Sequence, residues 1–168
     1  MAIVNLNGSL IMTGLESDPS EFGAPGVGNG AVRSWVETVE VGAADSATST
    51  YLMARLPSNA RLLGSSKFYS DDLASAGAPT MDIGIFNPSG KPETITDDPD
   101  ALNDGIDVAT VTDTPVIKDI ANYGKRLWEH VNGQTTDPKG DLDITLSLVD
   151  ADVNVGGTVT VEIYYTLD

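Results

Sequence analysis

Two stretches of strict alternation in the last third of the chain limit its fold more than any other feature. In DLDITLSLV, Leu142, Ile144, Leu146 and Leu148 alternate with Asp143, Thr145 and Ser147. In TVTVEIYYTL, Val159, Val161, Ile163, Tyr165 and Leu167 alternate with Thr160, Glu162, Tyr164 and Thr166. A period of two puts every second side chain on one face, so both segments read as strands with one buried face. The intervening DADVNVGG reads as a turn, and the two strands are expected to pair as an antiparallel hairpin.

Upstream, shorter segments repeat the pattern. VRSWVETVEV, from Val32 to Val41, places Trp35, Val39 and Val41 on one parity. TYLMARL and ARLLGSSKFY read as two strands around a Pro57-Ser58-Asn59 turn, with Pro57 suited to the first central position. TMDIGIFN sets Met81, Ile83 and Ile85 against Asp82, Gly84 and Phe86. Between Pro88 and Pro115, TDDPDALNDGID combines low hydrophobicity with repeated turn formers, which predicts a long surface excursion with a short strand at Val108 to Val111. NYGKRLWEHVNG, from Asn122 to Gly133, is the helix candidate: Leu127 and Val131 are four apart and Gly133 can cap the C-terminus. Many short strands and one short helix predict an all-β, antiparallel two-sheet β-sandwich, jelly-roll-like.

The first 31 residues differ. EFGAPGVGNGA is rich in Gly and Pro, while AIVNL and SLIM are isolated apolar pieces, so residues 1–31 are expected to form an extended flexible arm and 32–168 the sandwich domain. On this reading Ile3, Val4, Leu6, Leu10 and Ile11 are interaction residues, docking on the domain itself, a sister subunit or a partner. MAIVNLNGSLIMTG has no charged leader and is interrupted by Asn5, Asn7 and Gly8, which predicts neither a signal peptide nor a membrane span.

Composition excludes several function classes. With 9 Lys and Arg against 25 Asp and Glu, the formal charge of −16 opposes binding to nucleic acid or anionic membranes. The chain has no cysteine, hence no disulfide framework and no thiolate metal site. His130 is the single histidine, so an imidazole relay would depend on it alone; its place in the helix candidate reads as a surface or helix-end histidine. No nucleophile elbow, zinc-protease or phosphate-loop motif occurs, and GVGNG at Gly26 to Gly30 follows no strand and opens no helix. The chain reads as a non-enzyme.

Asp97, Asp98, Asp100, Asn103, Asp104 and Asp107 place six oxygen-bearing side chains within eleven residues. Their spacing is not that of an EF-hand, so a solvated anionic surface is expected, with structural Ca²⁺ at Asp97, Asp98, Asp100 and Asp104 the one cofactor left open. Trp35, Trp128, Tyr164 and Tyr165 could in principle stack on sugars, although Tyr165 shares parity with an apolar face. Arg55 and Arg61 flank one turn in a chain poor in bases. They are expected to fork onto carboxylates within the chain, or to meet a partner.

YLMARLPSNARLLGSSKFYSDDLASAGAPTMDIGIFNP and GKRLWEHVNGQTTDPKGDLDITLSLVDADVNVGGTVTVEIYYTLD together carry a resemblance. The strand ending in R-x-P-S-N-A-R, the D-I-G-[LI]-[YF] strand, the R-L-W-E segment and the final V-x-[VI]-Y-Y strand are similar to small head-decoration proteins of tailed bacteriophages, over roughly residues 36–168. The resemblance implies a virion structural protein on the capsid exterior, assembled in the host cytoplasm. It further implies that a homo-oligomer, commonly a trimer, binds the outer surface of the major capsid protein lattice and stabilises the shell. From the residues alone, an adhesin-like or carbohydrate-binding sandwich module is the alternative.

Overall fold

The computed structural model describes residues 31–88 and 94–167. The chain forms nine strands among the described residues: β1 (Arg33–Val41), β2 (Thr50–Pro57), β3 (Ala60–Leu62), β4 (Lys67–Ser70), β5 (Thr80–Phe86), β6 (Asp98–Asp107), β7 (Thr112–Pro115), β8 (Asp141–Val149) and β9 (Gly157–Leu167). One sheet has the order β1-β9-β4-β7, with β3 also on β9, and the other has the order β2-β8-β5-β6. The antiparallel pairs β1·β9, β2·β8, β4·β7 and β5·β6 are nested, first strand with last. Such a doubled ribbon, wrapped so that β9 also meets β4 and β8 also meets β5, is a jelly roll.

The core lies between the sheets. Leu142, Ile144, Leu146 and Leu148 of β8 are fully buried, as are Val159, Val161 and Ile163 of β9, so the alternation marks the faces correctly. Its pairing is another matter: β8 and β9 belong to different sheets and do not form a hairpin. Residues 150–156 carry the chain from one sheet to the other, and the two apolar faces meet across the core, where face-to-face packing buries more than an edge pairing would. The Pro57-Ser58-Asn59 turn is a second such crossing, with β2 on β8 and β3 on β9.

Two expectations for the middle of the chain are corrected. The acidic stretch is not a surface excursion: Asp98–Asp107 forms a ten-residue strand, and the next strand is Thr112–Pro115 rather than Val108–Val111. Strand β6 escapes a periodicity reading because it is bulged twice against β5, between Met81 and Ile83 and again between Ile83 and Ile85. Gly105 takes φ +69° in the first bulge. At the second, the Pro99 backbone lies so close over Gly84 that a Cβ there would sit 2.4 Å from it. The helix candidate is two short 3₁₀ turns, Ile120–Asn122 and Leu127–His130. Gly124, at φ +78°, and the extended Arg126 interrupt the segment before an α-helix can form. No helix among the described residues is long and apolar enough to cross a membrane.

Candidate interaction surface

Strands β1 and β2 end their respective sheets on the same side of the sandwich, and an open groove of about 310 Å³ lies between them. Trp35 and Glu37 of β1 and Leu52 to Arg55 of β2 line it. The groove follows from a fault in β2. Its pairing with β8 shifts register between Leu52 and Ala54, and Met53 occupies the bulge with Met53 and Ala54 both buried. The Met53 carbonyl is taken up from the other sheet, by the Trp35 indole N–H at 2.8 Å. One side chain thus bridges the two sheet ends. In the groove, Trp35 is 39% exposed and Leu52 54%, an apolar patch on an otherwise acidic protein, while Val36, on the other face of β1, is 56% exposed.

The same bulge reassigns Arg55. Continuous alternation would put it on the face of Tyr51 and Met53, whereas the shifted register sets it opposite Asp143. There its Nε and Nη2 donate to the two carboxylate oxygens at 2.6 and 2.8 Å. Asp143 has a side chain only 7% exposed, so the fork answers a carboxylate held on the outer face of a central strand. Arg61, across the turn, donates from Nη1 to the Gly124 carbonyl. Both arginines therefore tie loops or strands within the chain. Ile3, Val4, Leu6, Leu10 and Ile11, and the arm as a whole, lie outside the described residues.

The opposite side of the sandwich, where β6 and β7 end the sheets, is polar. Asn103 Nδ2 donates to the Pro115 carbonyl at 2.8 Å, bridging these two edges, and Lys118 Nζ donates to the Asp104 carbonyl at 2.6 Å. Asp82, on β5, accepts the Gly105 N–H at 2.8 Å, and burial pushes its carboxyl above the usual range. Asp97 accepts the Asn87 N–H and Asp98 the Asn132 N–H, each serving a loop. Burial likewise raises the Asp98 carboxyl. Among the described residues, no three His, Asp or Glu side chains converge on one metal position.

His130 is largely buried and neither ring nitrogen has a hydrogen-bond partner; burial, with Lys125 nearby, lowers its pKa to about 4. A histidine without a contact to a hydroxyl or carboxylate sets up no proton relay. The four aromatics do not form a platform either. Trp128 and Tyr165 pack on the core, Tyr164 is half-buried on the other face of β9, and Trp35 stands at the groove. Val36 and Leu52 were not anticipated. The available signal was TYLMARLP itself, where apolar residues occupy both parities and so announce a bulge.

No family model matches the chain, and no curated protein matches it. Solved structures do share its fold. A chain in the capsid of Ralstonia phage GP4 superposes with a TM-score of 0.62 at 16% identity, covering 83% of this chain and 86% of that one. A chain in the cyanophage Pam1 capsid asymmetric unit gives a TM-score of 0.56 at 18% identity, covering 91% and 99%. At these identities the likeness shows a shared fold.

Proposed function

We propose that this chain is a virion structural protein that decorates a tailed-phage capsid, binding the outer surface of the major capsid protein lattice and stabilising the shell as a homo-oligomer, a trimer by the resemblance. The observation that carries the reading is the match to chains of two phage capsids over most of the length of both partners. Supporting it, the long acidic strand and the apolar groove are surfaces suited to docking rather than to chemistry.

Mass spectrometry of purified virions, with cosedimentation of the isolated protein on emptied heads, tests the proposal. The protein is expected in the virion and on the heads, and its absence from both would overturn the reading. With a net charge of −16, its association with heads should also slow as salt rises beyond physiological strength, where the Debye length is about 8 Å. A rate independent of salt would remove the acidic surface from the docking site.

A further inference from the structure

Among the described residues, strand β1 ends its sheet with one edge unpaired, and it is the least protected of their sheet edges. It runs nine residues and pairs with β9 in unbroken register from Arg33 to Val41. It contains no proline and no lysine, and its exposed side chains include Trp35 and Val36, with the exposed Val32 just before it. Proteins normally blunt such an edge with bulges, prolines or charges, because its free N–H and C=O groups template another strand. Here two charges stand on the core-facing parity, Arg33 at the strand's start and Glu37 beside the groove.

A fitting strand lies in the same sequence. In AIVNLNGSLIM, residues 2–12, the even positions are Ala2, Val4, Leu6, Gly8, Leu10 and Met12, while the odd positions include Asn5, Asn7 and Ser9. As a strand this segment has one apolar face, able to cover Trp35 and Leu52, and one mostly polar face. The first charged side chain of the protein is Glu16, so this segment approaches an acidic surface without repulsion. A whole second domain does not: two bodies carrying the acidic excess repel, and their β1 edges would set Glu37 and Glu40 of each copy side by side.

We propose that the free edge of β1, with the groove between β1 and β2, receives residues 2–12 of a second copy of this chain as an added strand. Spacing favours the second copy over the same one. Hairpins close with about two to five residues, whereas residues 13–32 stand between this segment and β1. A spacer of that length, at about 3.3 Å per residue when extended, crosses from one domain to its neighbour. Each copy then gives one strand and receives one, a head-to-tail contact that closes into a ring. The inference concerns contacts between copies and holds independently of the capsid reading.

Light scattering on three forms of the protein tests it: the full chain, a deletion of residues 1–31, and a full-length Trp35→Glu/Val36→Lys variant with its edge blocked. The full chain is expected to be oligomeric and both variants to be monomers near 17.6 kDa or below, each still melting cooperatively. Mixing the two variants should restore a complex, because one supplies the strand and the other the edge. Separately, a peptide of residues 1–14 should bind the deletion form and change its tryptophan emission, and a Trp35→Phe form of the deletion should lose that change. A monomeric full chain at tens of micromolar, an oligomer that survives either variant, or a mixture that stays monomeric would each overturn the proposal. If the edge-blocked variant does not fold, the peptide titration on the deletion form decides, with no binding overturning it.

Discussion

On the side where β6 and β7 end the two sheets, the free backbone is turned away by two bulges, by Pro99 and Pro115, and by Asp98, Asp100, Asp104, Asp107 and Asp113. On the side where β1 and β2 end them, the only bulge is at Met53 in β2, and β1 stays regular and partly apolar. Both sides need a bridge between sheets and use the same solution, a side-chain N–H on a carbonyl of the other edge: Asn103 to Pro115 on one, Trp35 to Met53 on the other. The difference lies in what surrounds the bridge. Each bridge has an open groove beside it, about 330 Å³ at Asn103 and about 310 Å³ at Trp35, but Asn103 is itself buried and its groove is rimmed by Asp104, Asp107 and Lys118, whereas Trp35 is exposed and its groove is flanked by Leu52. An edge that repels strands and an edge that accepts them thus coexist in one sandwich, which directs association to one side.

The largest effect should come from undoing the β6 side. In Gly84→Val the new Cβ would fall 2.4 Å from the Pro99 backbone, so the second bulge of β6 must move off β5. Overpacking against backbone of this kind costs about 3 kcal/mol or more. Thermal unfolding should show a drop of roughly 6 °C or more. A melt unchanged from the parent would mean that Pro99 does not cover Gly84.

Acid should weaken the β6 side next. His130 lies in the segment tied to β6 by the Asn132 N–H on Asp98. Its pKa is lowered to about 4, so between pH 6.5 and 4 the unfolded chain binds the proton that the folded chain refuses. Stability therefore rises with pH across that window and is lost on acidification, by up to roughly 3 kcal/mol. Asp82 and Asp98, whose carboxyls are raised, act in the opposite sense and offset part of the loss at its acid end. His130→Phe should flatten the dependence of melting temperature on pH between 6.5 and 4. An unchanged slope would assign the acid sensitivity to other groups.

The two sides also differ in how far the sequence reveals them. Leu142 to Leu148 and Val159 to Ile163 disclose their buried faces because both strands are regular and central, where a period of two survives. The acidic strand does not, because two bulges break its parity and its buried Leu102 and Ile106 stand among aspartates that read as loop. Partner choice was hidden for a different reason: alternation specifies which face is apolar but not which edge is occupied, so β8 and β9 look like a hairpin. The forked pair of Arg55 was legible as a need for a carboxylate, but its partner Asp143 required the register, and the register required the bulge at Met53. The groove depends on that same bulge, which is why Leu52 escaped notice.

Asn103→Leu tests the closed bridge. It removes the donor to the Pro115 carbonyl at a residue 5% exposed, where water does not readily replace it. The loss should be about 1 to 3 kcal/mol by chemical denaturation, as for other buried groups left unsatisfied. A neutral outcome would show that water from the adjoining groove solvates the carbonyl.

The smallest effect is expected from the corresponding change on the open side, Trp35→Phe, which keeps an aromatic ring but removes the donor to Met53. Water reaches the groove and can replace the N–H, so in a form lacking residues 1–31 the cost should be near the low end for a hydrogen bond, about 0.5 kcal/mol. In the full chain at a concentration where copies associate, the added strand would exclude that water, and the same substitution should cost about 1 kcal/mol or more. The informative quantity is the difference between the two backgrounds, measured by denaturant unfolding of all four proteins. If Trp35→Phe costs the same with and without residues 1–31, the groove stays wet in both, and the open side is an exposed edge rather than a docking edge.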